Sequence, residues 1–212
     1  MKKSNFLEGA FIATSAIILT KILGVIYVIP FYSIIGEQGG ALYGYSYTIY
    51  NFFLSLSTVG FPLAISKLTS EYNTLGMNAE KVRLYKISKI FILIFSLICF
   101  LICFIFAPQV ANLIIGNIEN GNTIEDVSFT IRMVSFALLV IPLLSIMRGY
   151  LQGHKYIKEP SLSQVIEQVV RVIVILLGSY LTLKVFHLSL RTTIGVAVFA
   201  SCAGGIFAYI YL

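Results

Sequence analysis

Six apolar stretches alternate with polar segments along this chain, over residues 7–35, 41–68, 90–115, 129–151, 160–185 and 192–212. Each has about the length an α-helix needs to cross a bilayer, and about twice that of a barrel strand. In hydrocarbon only helices and closed barrels satisfy their own backbone groups. The pattern therefore predicts an all-α, polytopic membrane protein with six transmembrane helices. Gly24 and Pro30 predict a kink in the first helix, and Gly60 and Pro62 a late bend in the second. Pro108 and Pro142 lie within the third and fourth. The opening Met-Lys-Lys before an apolar run suggests a signal peptide, but the run is too long and is interrupted by Glu8 and Lys21, so it reads as an uncleaved first helix.

The polar segments differ in character. The connection over 67–89 is basic, with Lys67, Lys81, Arg83, Lys86 and Lys89. The one after residue 115 is rich in Asn and acid, including Glu119, Glu125 and Asp126. With the N-terminus inside, ten Lys and Arg fall on the inner side, Lys2, Lys3, Arg148, Lys155 and Lys158 among them. Three fall outside: Arg132, Lys184 and Arg191. By the positive-inside rule both termini are expected in the cytoplasm. The basic connection then needs no nucleic acid to explain it.

Composition agrees. Of 212 residues, 58% are hydrophobic and 11% charged, against about 25% charged in ordinary soluble domains. Cys99, Cys103 and Cys202 lie in apolar runs and read as small packing residues. His154 and His187 fall in loops and read as solvated. The sequence holds no HExxH, GxSxG, P-loop or CxxC, so no catalytic residue, metal or cofactor is expected, and the chain reads as no enzyme. Any transport would draw on an ion gradient, the membrane potential or substrate mass action.

The informative residues are the charges inside apolar runs. A charge near the bilayer centre costs about 2.5–3.5 kcal/mol even on insertion scales. Glu167 and Arg171 both lie in the run over 160–185, four residues apart, so on a helix they share a face and can pair. Gln164 and Gln168 fall on the same side. Lys21 lies mid-run in the first helix, on a face with Thr14 and Val28. Two cations against one carboxylate favour an anionic ligand group such as a pyrophosphate, which arginine grips with two donors. The alternative is that Glu167 and Arg171 only staple helices together. Tyr43, Tyr47 and Tyr50, with Asn51 beside them, form a stripe suited to the membrane interface, to packing or to stacking on a sugar. Gly149 and Gly153 make a GxxxG, read as a weak packing signal because it runs into a loop.

Two stretches carry a family resemblance. IIGEQGGALYGYSYTIYNFFLSLSTVGFPLAISKLTSEY over 34–72 and PLLSIMRGYLQGHKYIKEPSLSQVIEQVVRVIVI over 142–175 resemble the stage V sporulation protein B (SpoVB/YtgP) group. These are polysaccharide transporters of the multidrug/oligosaccharidyl-lipid/polysaccharide (MOP) exporter superfamily, whose best-known relatives flip lipid II. The resemblance implies a MATE-like fold of two six-helix lobes around a cavity, alternating access, and a lipid-linked anionic glycan precursor as substrate in a bacterial cell membrane. By motif it places Lys21, Glu167 and Arg171 in the cavity-facing set. The family usually has arginine at the position of Val28, so one cavity cation is missing here. Residues 1–212 read as a single N-terminal lobe, expected to be incomplete at its C-terminus and to need a C-terminal lobe as partner. Two rival readings stand beside a flippase lobe: a cation-coupled multidrug exporter, and a truncated lobe with no transport of its own.

Overall fold

The computed structural model describes residues 6–58, 60–116 and 121–212, which form helices joined by short turns. Lys2, Lys3 and Glu119 lie outside the described residues. Helix α1 spans Phe6–Ile26 and α2 spans Val28–Thr58. The break between them has a local cause: the ring of Pro30 excludes the helical position of the Ile26 carbonyl and removes an N–H donor. The Tyr27 amide reaches the Leu23 carbonyl only at 3.4 Å.

The helical dihedrals of α2 fail at Gly36, with φ 68° and ψ −173°. That φ suits glycine, and the chain reverses there. Tyr32 packs against Gly40, and the Phe31 ring centroid lies 4.9 Å from that of Tyr43. The apolar stretch from Leu7 to Thr74 therefore folds back on itself instead of crossing as one rod.

Gly60, at φ 82°, then bends the chain into α3, Phe61–Thr74, with Pro62 in its first turn. Here the sequence reading needs correction. The segment over 67–89 is not an extended loop, because α3 runs on to Thr74 and α4 already starts at Asn78 (Asn78–Ile105). Lys, Arg and Glu are good helix formers. Their arrival ends the lipid-facing part of a helix, not the helix. The only non-helical residues between are Leu75–Met77, with Gly76 at φ 70°. Lys81 is buried rather than solvated, its Nζ donating to Asn73 at 3.1 Å and Asn78 at 2.9 Å.

Helix α5, Ala107–Ile115, carries Pro108 in its first turn. Helix α6, Ile124–Ser135, starts from a capping box: Thr123 Oγ1 accepts from the Asp126 amide while the Asp126 carboxylate accepts from the Thr123 amide. Helix α7, Ala137–Gly153, follows a break at Phe136. Helix α8, Lys158–Tyr180, widens into a π turn over Leu181–Val185. Helix α9, Leu190–Tyr211, is capped by Ser189, which accepts from the Thr192 amide.

The core lies where α6, α7 and α9 meet, and Val127, Ile131, Val134, Leu138, Ile194 and Val198 are fully buried there. Helix α8 runs antiparallel along α9, with Gly178 against Val196 and Gly204 against the Glu167 backbone. Helix α1 runs parallel to α8: Phe11 and Ser15 face Ser161 and Leu162, and Gly24 lies by Gln168. Exposed large apolar side chains crowd the outer helices, including Phe11, Ile18 and Val25 on α1 and Phe91, Ile94 and Ile105 on α4. Lipid rather than water suits those faces.

The GxxxG is stronger than its sequence setting suggests. Helix α7 continues to Gly153, so both glycines stand on it. A Cβ on Gly149 would lie 2.4 Å from the Pro62 carbonyl oxygen, and one on Gly153 would lie 2.6 Å from that of Ser66. Bare backbone at both positions lets α3 lie flat on α7. At the same end of the bundle the Tyr85 and Tyr150 rings are 4.4 Å apart, and His154 bonds the Tyr150 carbonyl at 2.9 Å. His154 is half-buried between Tyr150 and Tyr156, not free in solvent. This end carries Lys67, Lys81, Arg83, Lys86, Lys155 and Lys158. The other end joins Asn122 to the Gln38 carbonyl at 3.0 Å and Arg191 to Glu125 at 2.7 Å.

Candidate functional site

Helix α8 positions the polar side chains. Its sequence from Ser163 to Arg171 puts polar residues one turn apart, so they project on adjoining faces towards α1, α7 and α9. Three of those faces meet different partners.

The first meets α1 and α2. Thr20, Lys21, Gly24, Val25, Tyr27, Tyr47, Gln168 and Arg171 line a cavity of about 440 Å³. Lys21 is exposed, so the cavity opens at the surface of the bundle, whereas Gln168 is buried in its wall. Gly24 faces Gln168: a Cβ there would lie in contact with the Gln168 Nε2, at 3.4 Å. Arg171 is fixed at both ends of its fork. Nη2 donates to the Gln168 Oε1, and Nη1 donates to the Tyr47 hydroxyl at 3.4 Å. Tyr47 in turn shares a 2.8 Å hydrogen bond with Ser201 on α9. Behind it the aromatic rings continue, with Tyr43 at 4.7 Å and Tyr50 at 5.4 Å from the Tyr47 ring. The Tyr27 and Tyr43 hydroxyls stand 3.5 Å apart. Among the described residues no carboxylate lines the cavity. Among the described residues neither Lys21 nor Arg171 makes an ion pair.

The second face meets α7, and here the expected pairing changes. Glu167 does not pair with Arg171; its Oε2 lies 2.9 Å from the Arg148 Nη1. Both side chains are shielded, at 11% and 15% exposure for Arg148 and Glu167. Arg148 Nε also donates to Ser163 Oγ at 2.7 Å, and Ser163 donates to the Pro160 carbonyl at 2.7 Å. The fork of Arg148 thus spans one turn of α8, from Ser163 to Glu167. A helical i,i+4 pair loses here to a cross-helix partner that bonds Glu167 once and anchors its own fork on Ser163, one turn away.

The third face meets α9 at Gly204, where an added Cβ would strike the Glu167 carbonyl at 2.6 Å.

Of the residues singled out from sequence, the cavity gathers Lys21, Tyr47, Gln168 and Arg171. It does not gather the others. Gln164 is half-buried and off the lining, and Glu167 is turned to α7. Tyr50 is buried behind Tyr47, and Asn51 points to the exterior. Val28 also lies off the lining, beyond the Tyr27 break. Sequence reasoning missed Thr20, Gly24 and Tyr27 as lining, and Arg148 as the partner of Glu167. The signal for Arg148 was present: it is a cation inside the end of the apolar run over 129–151, but from sequence it reads only as one more inner-side charge.

The chain resembles known proteins over nearly its whole length. The family described as "Polysaccharide biosynthesis protein" matches residues 6–212. The lipid II flippase MurJ of Bacillus subtilis (strain 168) is 40% identical over 98% of this chain and 39% of its own length. Stage V sporulation protein B of the same organism is 28% identical over 81% of this chain and 32% of its own. Among solved structures, a MATE protein in the bent conformation superposes with TM-score 0.72 at 16% identity, over 91% of this chain and 42% of that one. A MOP superfamily transporter from Pyrococcus furiosus superposes with TM-score 0.69 at 13% identity. The fold is therefore MATE-like. The chain spans about two fifths of the length of the curated relatives it matches.

Proposed function

Because the chain belongs to the polysaccharide biosynthesis protein family, we propose that it forms one lobe of a membrane transporter that moves a lipid-linked, anionic glycan precursor by alternating access. The observation that carries this reading is the cavity between α1, α2 and α8, which offers Lys21 and Arg171 and, among the described residues, no carboxylate. Guanidinium and ammonium groups without acid partners suit a phosphate or pyrophosphate. Tyr27 and Tyr47 add ring faces and hydroxyls on which a sugar can rest. Lipid II, named for the Bacillus subtilis relative, has this chemistry. The open side of the cavity suits a second, C-terminal lobe, which the longer relatives have room to encode.

The multidrug-exporter reading asks for an available acid to bind a cation. Glu167 is occupied by Arg148 and lies off the cavity lining, so the geometry favours the anionic substrate. Proteoliposomes holding the purified protein and a fluorescent lipid-linked pyrophosphoryl precursor test the proposal. Faster crossing than in empty vesicles is expected, and crossing at the empty-vesicle rate removes the transport role.

The basic end of the bundle is proposed to face the cytoplasm, with both termini on that side. In intact cells, Glu125→Cys is expected to react with an impermeant maleimide, and Met77→Cys only after permeabilisation. Cys99, Cys103 and Cys202 are buried and give a low background. The reverse labelling pattern would invert the topology.

A further inference from the structure

Glu167 and Arg171 stand in the order that favours an ion pair on a helix, acid four residues before base. They also leave α8 on the same side, since the absent Cβ of Gly204 would lie 3.4 Å from both the Glu167 Cγ and the Arg171 Cβ. A change of side-chain rotamer is enough to bring that carboxylate toward Arg171. The lobe instead holds it on α7. We infer that Arg148 is a positioning residue for the cavity: by keeping Glu167 on α7 it prevents the α8 carboxylate from neutralising Arg171, so that the cavity meets an anionic headgroup with two cations.

The clamp is built for holding rather than for binding substrate. Arg148 grips Ser163 at 2.7 Å and Glu167 at 2.9 Å, one helical turn apart. Its Nη2 is buried with no hydrogen-bond partner among the described residues, so the group has no route to a ligand in this arrangement. The next residue, Gly149, sits against Pro62 of α3, which fixes where on α7 the arginine starts. Removing Arg148 leaves a shielded carboxylate without its cation, a costly state. Arg171 is the cation on its own helix side that relieves it. Once paired, Arg171 has less charge to offer an incoming phosphate.

The inference rests on the anion-binding reading of the cavity, and calorimetric titration of the purified protein with inorganic pyrophosphate separates the two. Arg171→Gln is expected to abolish binding. Arg148→Met is expected to weaken it by about tenfold or more, the order expected when a carboxylate comes within a few ångströms of the site cation. The double variant Arg148→Met/Glu167→Gln is expected to return to within about twofold of the parent, because no carboxylate is then released. A role for Arg148 in structure alone gives the same loss in the single and double variants. Should Arg148→Met not fold, Arg148→Lys serves: it retains a cation for Glu167 and is expected to bind within about threefold of the parent.

If the parent fails to bind, or Arg171→Gln binds normally, the cavity reading falls and the inference falls with it. If Arg171→Gln abolishes binding but Arg148→Met does not weaken it, only the inference is overturned. The same holds if the double variant stays as weak as the single, or if Arg148→Lys loses tenfold.

Discussion

Replacing Arg171 by alanine in the complete protein abolishes its ability to support growth of a flippase-deficient strain, while the variant still inserts and accumulates. Arg171 supplies the guanidinium in the cavity lining and is already aimed by Gln168 and Tyr47. Removing one partner of a shielded, charge-assisted contact costs about 2–5 kcal/mol, which at 1.4 kcal/mol per tenfold is roughly 30-fold to several thousandfold in binding. Lys21 is more exposed and contributes a point charge without the fork. Its removal is therefore expected to cost less than that of Arg171. Arg171→Lys is expected to fall between wild type and alanine, since it keeps the charge and loses the two-pronged grip. Normal growth of properly inserted Arg171→Ala would take Arg171 out of the site.

The second large effect is structural. Gly149→Val is expected to prevent accumulation of folded protein, and Gly149→Ala to lower stability by about 1–3 kcal/mol or more, in the range for overpacking. The obstacle at Gly149 is the Pro62 backbone: an added Cβ would lie 2.4 Å from the Pro62 carbonyl oxygen and 2.9 Å from its Cα, and neither can rotate away. Helix α3 would have to lift off α7 and carry the basic end of the bundle with it. Gly44 is the control. It lies on α2 with nothing within 4 Å of an added Cβ, so Gly44→Ala is expected to leave stability unchanged or raised by the better helix former. Size-exclusion profiles and thermal unfolding in detergent read both. A Gly149→Val protein that elutes and melts like the parent would contradict the packing described.

The fold was legible because hydrocarbon is a strict solvent. Runs long enough to cross it have few alternatives to a helix, and Pro30, Gly60 and Pro62 announced breaks found within a few residues of them. Lys21, Gln168 and Arg171 were legible for the same reason, since polar groups in lipid need a shared cavity. What escaped depended on rotation and on neighbours. Asn51 stands one helical turn beyond Tyr47 on α2 but is exposed and off the cavity lining, so spacing alone overextended the stripe. The partner of Glu167 was chosen between Arg171 on its own helix and Arg148 on another, and no spacing rule sees the second. Gly153 falls beyond an apolar run that ends at residue 151, two residues before α7 stops, whereas Arg148 lies inside that run and reads from sequence only as an inner-side charge. Polarity marks the end of the lipid-facing part of α3 and α4 and not the end of either helix, so apolar runs alone stop short of both.

The central claim is that this lobe presents a cationic cavity to an anionic lipid-linked glycan. Its most direct test is the rate at which proteoliposomes carry two fluorescent lipids across the bilayer, alike in glycan and lipid tail but differing in a pyrophosphate or an uncharged linker. The account predicts transport of the pyrophosphate lipid alone, lost in a Lys21→Ala/Arg171→Ala variant. Equal transport of both lipids, or undiminished transport by the double variant, would contradict it.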